Sequence, residues 1–328
     1  MVARRQFVAL GAAMLAAPAA FAQQPHKVWR IGFLFIANKE FFVSFGAQGI
    51  FLQGMHDHGY APGKDFVFEE RFADGDVARL PVLAAELVRS GVDLILTSGT
   101  QANRAAQQAT ATIPIVTITE ADPVGNGFAL SLARPGKNMT GISTLFAETI
   151  VKNVEYLSQM VPRLSRIGVM QNATNGSAKA QIASVRAAAA KIGIQVLVVD
   201  ASSPDDIDRG VETMQRERVQ AFLALPDSVL SAQNEQIGRL ALKHRLPSSY
   251  STSRYPEVGG LFSYGQDTRK LWRQGAKFVD RIFKGTKPAD LPFEQPVTFE
   301  LVINMKTAQT LGIKVPQSLL LQATRLIE

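Results

Sequence analysis

Three short polar turns carry residues that could do chemistry. Ser98-Gly99-Thr100 sets two hydroxyls around a glycine, just after an apolar run and just before a helical pattern. The first N–H groups of a helix lack internal partners and lie at the positive end of its dipole, so this turn suits an anion such as a carboxylate. Gly99 would let a ligand approach the backbone closely. Asp227, followed by Ser228, comes after the apolar string AFLAL and a proline. A carboxylate projecting into a closing cleft is the counter-ion that an ammonium group needs. Glu120 and Asp122 form a third, acidic turn, and Asp122 is the less favoured ammonium partner. Each feature also has a plainer reading, since Ser98, Thr100 and Asp227 could simply cap helices. The residues alone leave both readings open.

The elements around these turns alternate strand and helix patterns. Trp29 to Ala37 is a nearly continuous apolar run of strand length, the pattern of a strand buried on both faces of a parallel sheet. A helix is expected from Glu40 to His58, with Phe42, Phe45, Leu52 and Met55 on one stripe. Strands at 64–72, 92–97, 115–119 and 139–143 then alternate with helices at 78–89, 101–110 and around 128–133. The second half repeats the scheme, with strands at 166–171, 194–199, 220–225 and 246–250 and helices at 177–192, 204–217 and 230–244. Such alternation with short loops predicts two doubly wound parallel-sheet lobes. The last eighty or so residues break the pattern: a short strand at 260–264, a helix at 268–284, a proline-punctuated linker and a strand at 297–304. Late elements returning to both lobes imply a multi-crossing hinge, the architecture of a receptor that closes on a small ligand. The expected division is 28–143 plus about 262–296 for lobe 1, and 144–261 plus about 297–328 for lobe 2.

Ligands of open α/β sheets sit outside the carboxyl ends of the strands. The candidates are therefore Asn38 after the first strand, Ser98, Gly99 and Thr100 after the third, and Glu120 and Asp122 after the fourth. On the second lobe they are Asn172 with Thr174 and Asn175, Asp200 with Ser202, and Asp227 with Ser228. Phe146, Tyr250 and Tyr264, near the expected crossings, could cover a flat side chain by stacking.

Other features exclude more than they suggest. His56 and His58 are two apart on a helix and face different ways, which prevents chelation of one metal. Asp74-Gly75-Asp76 lacks the distal ligands of a calcium loop. Gly125-Asn126-Gly127 lacks the third glycine of a dinucleotide fingerprint, and no phosphate-binding or nucleophile-elbow motif occurs. No catalytic residue, metal or cofactor is expected. With no cysteine in the chain, disulfides, thiol chemistry and lipid attachment through cysteine are ruled out.

The first residues fix where the chain works. Arg4 and Arg5 form a basic segment, Phe7 to Ala17 an apolar one too short to span a bilayer, and Ala20-Phe21-Ala22 a small-x-small cleavage signal. Residues 1–22 are expected to be a signal peptide, removed during export to a bacterial periplasm; general secretion and twin-arginine export stay open. Removal leaves 306 residues and lowers the formal charge from +7 to +5. That length suffices for two ordinary cores. Dispersed basic residues, without a dense run or a helix-turn-helix signature, speak against nucleic acid as a partner. No later segment is long enough to insert in a membrane, and a monomer is expected.

The strings ERFADGDVARLPVLAAELV (70–88), VDLILTSGT (92–100), DPVGNGFALSLARPGKNMTGIS (122–143), VPRLSRIGV (161–169), LPSSY, GGLFSYG and KPADLPFEQPVTFELVINMKTAQTLG occur in this order. From about Val28 to the C-terminus the chain resembles the substrate-binding proteins of an ABC-transporter family related to the tryptophan- and tyrosine-binding components. The resemblance implies a type I periplasmic-binding-protein-like fold with three interlobe crossings. It also implies a small-molecule ligand and an inner-membrane ABC permease as partner. A carboxylate-bearing solute is expected, in the first place an amino acid, aromatic ones included. A sensor of the same fold, reporting to a receptor kinase or chemoreceptor, is the alternative.

Overall fold

The apolar run that opens the described chain forms β1 (Trp29–Phe35), whose last five residues are buried. In the computed structural model, which describes residues 27–44 and 46–328, β1 lies beside β2 (Phe66–Phe72) and β3 (Leu94–Thr97). The same sheet holds β4 (Ile115–Glu120) and β5 (Met139–Ser143), all neighbours parallel, in the order β2-β1-β3-β4-β5. Alternate residues of β1 face opposite layers. Ile31, Phe33 and Phe35 pack with α2 (Ala47–Asp57) and α11 (Thr268–Phe283), whereas Leu34 packs with α3 (Leu80–Arg89) and α4 (Thr100–Ala109).

The second sheet has seven strands: β6 (Arg166–Gln171), β7 (Gln195–Asp200), β8 (Ala221–Ala224), β9 (Ser248–Tyr250), β10 (Phe262–Gln266), β11 (Phe299–Asn304) and β12 (Arg325–Ile327). Their order is β12-β11-β10-β9-β8-β6-β7, and only β10 and β11 run antiparallel. Its layers include α5 (Phe146–Met160) and α6 (Ala178–Lys191) on one face. On the other lie α7 (Pro204–Arg216), α8 (Ser228–Ala232), α9 (Asn234–Lys243) and α10 (Arg254–Glu257). The chain ends with α12 (Met305–Leu311), α13 (Gln317–Gln322) and β12. Among the described residues no helix is long and apolar enough to cross a membrane.

The strand order reverses between β1 and β3 in the first sheet and between β6 and β8 in the second. Crevices open at such switch points, outside the carboxyl ends of the strands. The chain crosses between lobes from β5 into α5, from β10 into α11, and from the Ile142–Glu294 bridge into β11.

Several expectations need correction. The single helix expected at 40–58 is two, α1 (Lys39–Ser44) and α2, because Gly46 adopts a left-handed φ of 74° between them; the expected stripe residue Phe45 lies outside the described residues. No helix forms around 128–133. Phe128 and Ala129 both donate to the Pro123 carbonyl and Leu130 to that of Pro135, so the segment folds as turns around prolines. The helix expected at 230–244 splits into α8 and α9 at Gln233. β10, expected to begin the return to the first lobe, pairs instead with β9 and β11, and its Phe262 is fully buried in the second core. The chain therefore leaves the second sheet after Gln266, and Tyr250 to Tyr264 is not a crossing. Positions 1–22 lie outside the described residues.

Candidate ligand cavity between the lobes

The two crevices face each other across a cavity of ≈ 110 Å³, far above the roughly 10–15 Å³ that one water requires. Its apolar wall is aromatic: Phe35, Phe41 and Trp272 from the first lobe, Phe146 and Tyr250 from the second. Trp272 is 2 % exposed and held edge-on by Phe35 and Phe42, with ring centroids 6.2 and 5.6 Å away. These rings are fixed by core packing rather than by loops. The polar wall includes Ser98, Thr100 and Thr119 on one side and Asp227, Asn234, Ser251 and Arg254 on the other.

Gly99, with φ of 91° and ψ of 150°, precedes α4. A β-carbon there would lie 2.1 Å from Ser228 Oγ across the cleft. The bare backbone thus admits the opposite lobe. Ser98 Oγ is engaged with Thr119 Oγ1 at 2.9 Å, and the Gly99 N–H donates to the Thr119 carbonyl.

Asp227 caps α8. Its Oδ1 accepts from the N–H groups of Val229 (2.8 Å) and Leu230 (3.1 Å) and from Asn172 Nδ2 (3.3 Å). Its Oδ2 accepts from Asn175 Nδ2 (2.9 Å) and, across the cleft, from Gln101 Nε2 (2.8 Å). Tyr250 Oη donates to the Asp227 carbonyl at 2.9 Å, and burial holds that phenol well above its usual pKa. Asp227 thus lies at the cavity, where the sequence expected an ammonium counter-ion or a helix cap; the structure shows it as the cap and as an interlobe contact.

Glu120, 1 % exposed, is the hub of a second interlobe network. Its carboxyl accepts from Asn103 Nδ2 (2.7 Å), Asn126 Nδ2 (2.8 Å), the Asp122 N–H (3.0 Å) and Thr100 Oγ1 (3.3 Å). Asn126 Nδ2 also donates to Ser177 Oγ of the other lobe at 3.0 Å. Burial pushes the Glu120 pKa up, and these four donors offset only part of that shift. A carboxyl raised above its unfolded value of about 4.3 contributes stability that is full below that value and is lost as pH rises through the folded one. Thermal melts of the protein and of Glu120→Gln should therefore diverge in this sense as pH rises above the unfolded value. A difference that does not vary with pH would show that Glu120 is not shifted.

Of the residues singled out from sequence, Ser98, Gly99, Thr100, Phe146, Asn175, Asp227, Ser228 and Tyr250 line the cavity. Glu120 and Asn172 sit one layer behind it, bonded to Thr100 and Asp227. Six others lie elsewhere, among them Thr174, which donates to Asn172 Oδ1, Asp200, which accepts from Gln171 Nε2, and Ser202, which donates to Asp206 Oδ2. Asn38 is exposed and accepts from the Phe41 N–H at the start of α1. Asp122 is exposed and closes a turn by accepting from the Gly125 N–H. Tyr264 shares a strand face with Phe262, so its ring points toward α5, edge-on to Tyr156 and stacked on Phe299. Phe41, Trp272, Asn234, Ser251 and Arg254 were missed. His58 lies 3.8 Å from Asp280, and Asp76 caps the turn at Val77–Arg79. Among the described residues no three acidic or histidine side chains converge as a metal would require.

The family described as "ABC transporter substrate binding protein" matches residues 45–327. A tyrosine-binding protein from Clostridioides difficile (strain R20291) is 24 % identical over 264 residues, covering 80 % of this chain and 76 % of that protein. A solved structure from Streptococcus pneumonia, an ABC domain in complex with L-Trp, is 27 % identical with a TM-score of 0.82, covering 92 % of this chain and 100 % of that one. A conserved domain protein from Vibrio cholerae O1 biovar eltor is 28 % identical with a TM-score of 0.85 and the same coverage. The two-lobed frame is that of the type I periplasmic binding proteins.

Proposed function

The chain belongs to the ABC transporter substrate-binding protein family, and from that premise we propose that it is the receptor component of an importer. It closes two lobes over an amino acid with a flat side chain and presents the closed form to a membrane permease. The observation that carries this reading is the cavity wall, five aromatic rings beside one carboxylate and one guanidinium, at the facing switch points of two sheets. The relatives named for tyrosine and solved with L-Trp support the same ligand class. Work outside the cytoplasmic membrane fits the family, with residues 1–22 as the export signal.

Titration with L-tryptophan, L-tyrosine and L-phenylalanine tests this. At least one should raise the melting temperature, with about 2.7 kcal/mol of stabilisation at a hundredfold excess over Kd. The same ligand should make the particle more compact in small-angle scattering. A melting temperature that moves with sugars and with none of these amino acids would overturn the ligand class; stabilisation without compaction would overturn closure.

A further inference from the structure

Seven buried side-chain nitrogen or oxygen atoms among the described residues have no hydrogen-bond partner. Three of them belong to the cavity wall: Asn234 Oδ1, Ser251 Oγ and Arg254 Nε. Asn234 and Ser251 are 2 % and 5 % exposed, so they are buried in the wall away from the outer surface. Buried polar groups in folded proteins are otherwise satisfied, and orphans gathered on one wall of a cavity need a partner that the protein does not supply. All three follow from one corner of the second lobe. Asn234 opens α9, Ser251 directly follows β9, and Arg254 opens α10. Asn234 Nδ2 is 3.4 Å from Thr252 Oγ1, which ties α9 to the segment between Ser251 and Arg254.

Among the described residues Arg254 is the one cation on the cavity wall. Its guanidinium is oriented from both lobes, with Cζ 5.5 Å from the ring centroid of Phe41 and Nη2 3.1 Å from Glu235 Oε1. The side chains of Ser98, Thr100 and Asp227, first expected to hold the ligand's charges, are already engaged within the protein. Asp227 accepts five hydrogen bonds where a carboxylate has about four lone-pair sites.

We infer that Arg254 and Ser251 receive the ligand's carboxylate and that Asn234 Oδ1 accepts from its ammonium, so that the second lobe reads the head group. The aromatic rings then cover the side chain. This rests on the ligand being an amino acid, and the test separates the two ideas. Calorimetry would use L-tryptophan, L-tyrosine and L-phenylalanine and, for each, the decarboxylated amine: tryptamine, tyramine and phenethylamine.

The parent should prefer acid to amine. Arg254→Met, which keeps the stem and removes the charged fork, should weaken binding of the acid at least about 30-fold and abolish most of that preference. Ser251→Ala, a smaller change, should shift the preference in the same direction, and unfolding without ligand shows whether either variant is merely destabilised. If both variants keep the parent's preference, the head-group assignment is wrong while the amino-acid reading stands. If the parent binds the amines and no acid, the assignment also falls. If it binds none of the six probes, both ideas fall.

Discussion

Asp227→Ala is expected to weaken ligand binding by about ten- to a hundredfold while losing no direct contact to the ligand. Two costs separate. The cap on α8, worth about 1–2 kcal/mol, is lost with or without ligand and appears as a lower melting temperature. The bond from Gln101 Nε2 to Asp227 Oδ2, at 2.8 Å, joins the lobes only when they are together. A hydrogen bond to a charged group contributes about 1.5–3 kcal/mol, and this share is charged to closure and so to affinity. A double-mutant cycle distinguishes this latch from an ammonium counter-ion. Gln101→Ala alone should weaken binding of L-tryptophan or L-tyrosine by a similar factor, and in the Asp227→Ala background it should cost almost nothing more. If the two losses add in full, Asp227 acts on the ligand independently of Gln101 and the latch is wrong.

Much of this frame was legible because it follows from simple periodicities. β1 reads as a buried parallel strand since both its faces are covered, and the rule that ligands sit beyond strand ends led directly to Ser98, Gly99, Thr100 and Asp227 at the cavity. The same rule, applied to the strand Ser248–Tyr250, points to Ser251 and the residues after it, so Arg254 had a signal. It was masked because RYPE forms a helix of one turn, too short to show a period. Trp272 was less accessible. It sits within the apolar stripe of α11 beside Leu271, and a ring that is core on one edge and cavity wall on the other has no separate signature in sequence. Tyr264 failed for the opposite reason: proximity to a crossing was given more weight than the two-residue alternation that pairs it with Phe262. The role of Asp227 turned on tertiary partners, since no spacing in the chain announces that Gln101, 126 positions away, will meet it.

Gly141→Ala is expected to be more damaging than its single methyl suggests, at least about 3 kcal/mol of folding stability. Gly141 lies inside β5 at φ of 141°, opposite Thr117, where the register of β4 against β5 shifts between Thr117 and Glu120. A β-carbon there would stand 2.0 Å from the Thr117 carbonyl oxygen and 2.8 Å from its nitrogen. Both are backbone atoms of a central strand, so no rotamer change relieves the contact. A glycine inside a strand pattern is itself the sequence sign of such a close approach. Gly59→Ala supplies the comparison. Its φ of 87° is also left-handed, but nothing lies within 4 Å of the added carbon, so it should cost only the conformational strain, about 1–2 kcal/mol. Urea unfolding of the two variants reads the difference directly, and equal losses would show that the contact with Thr117 is relieved at no cost. The irregularity at Gly141 is also where Thr119 and Glu120 leave the regular ladder, Thr119 for the cavity wall and Glu120 for the interlobe network behind it. Gly141→Ala protein that still folds should therefore bind its ligand more weakly than the parent, whereas Gly59→Ala protein, altered at the far end of α2, should bind as the parent does.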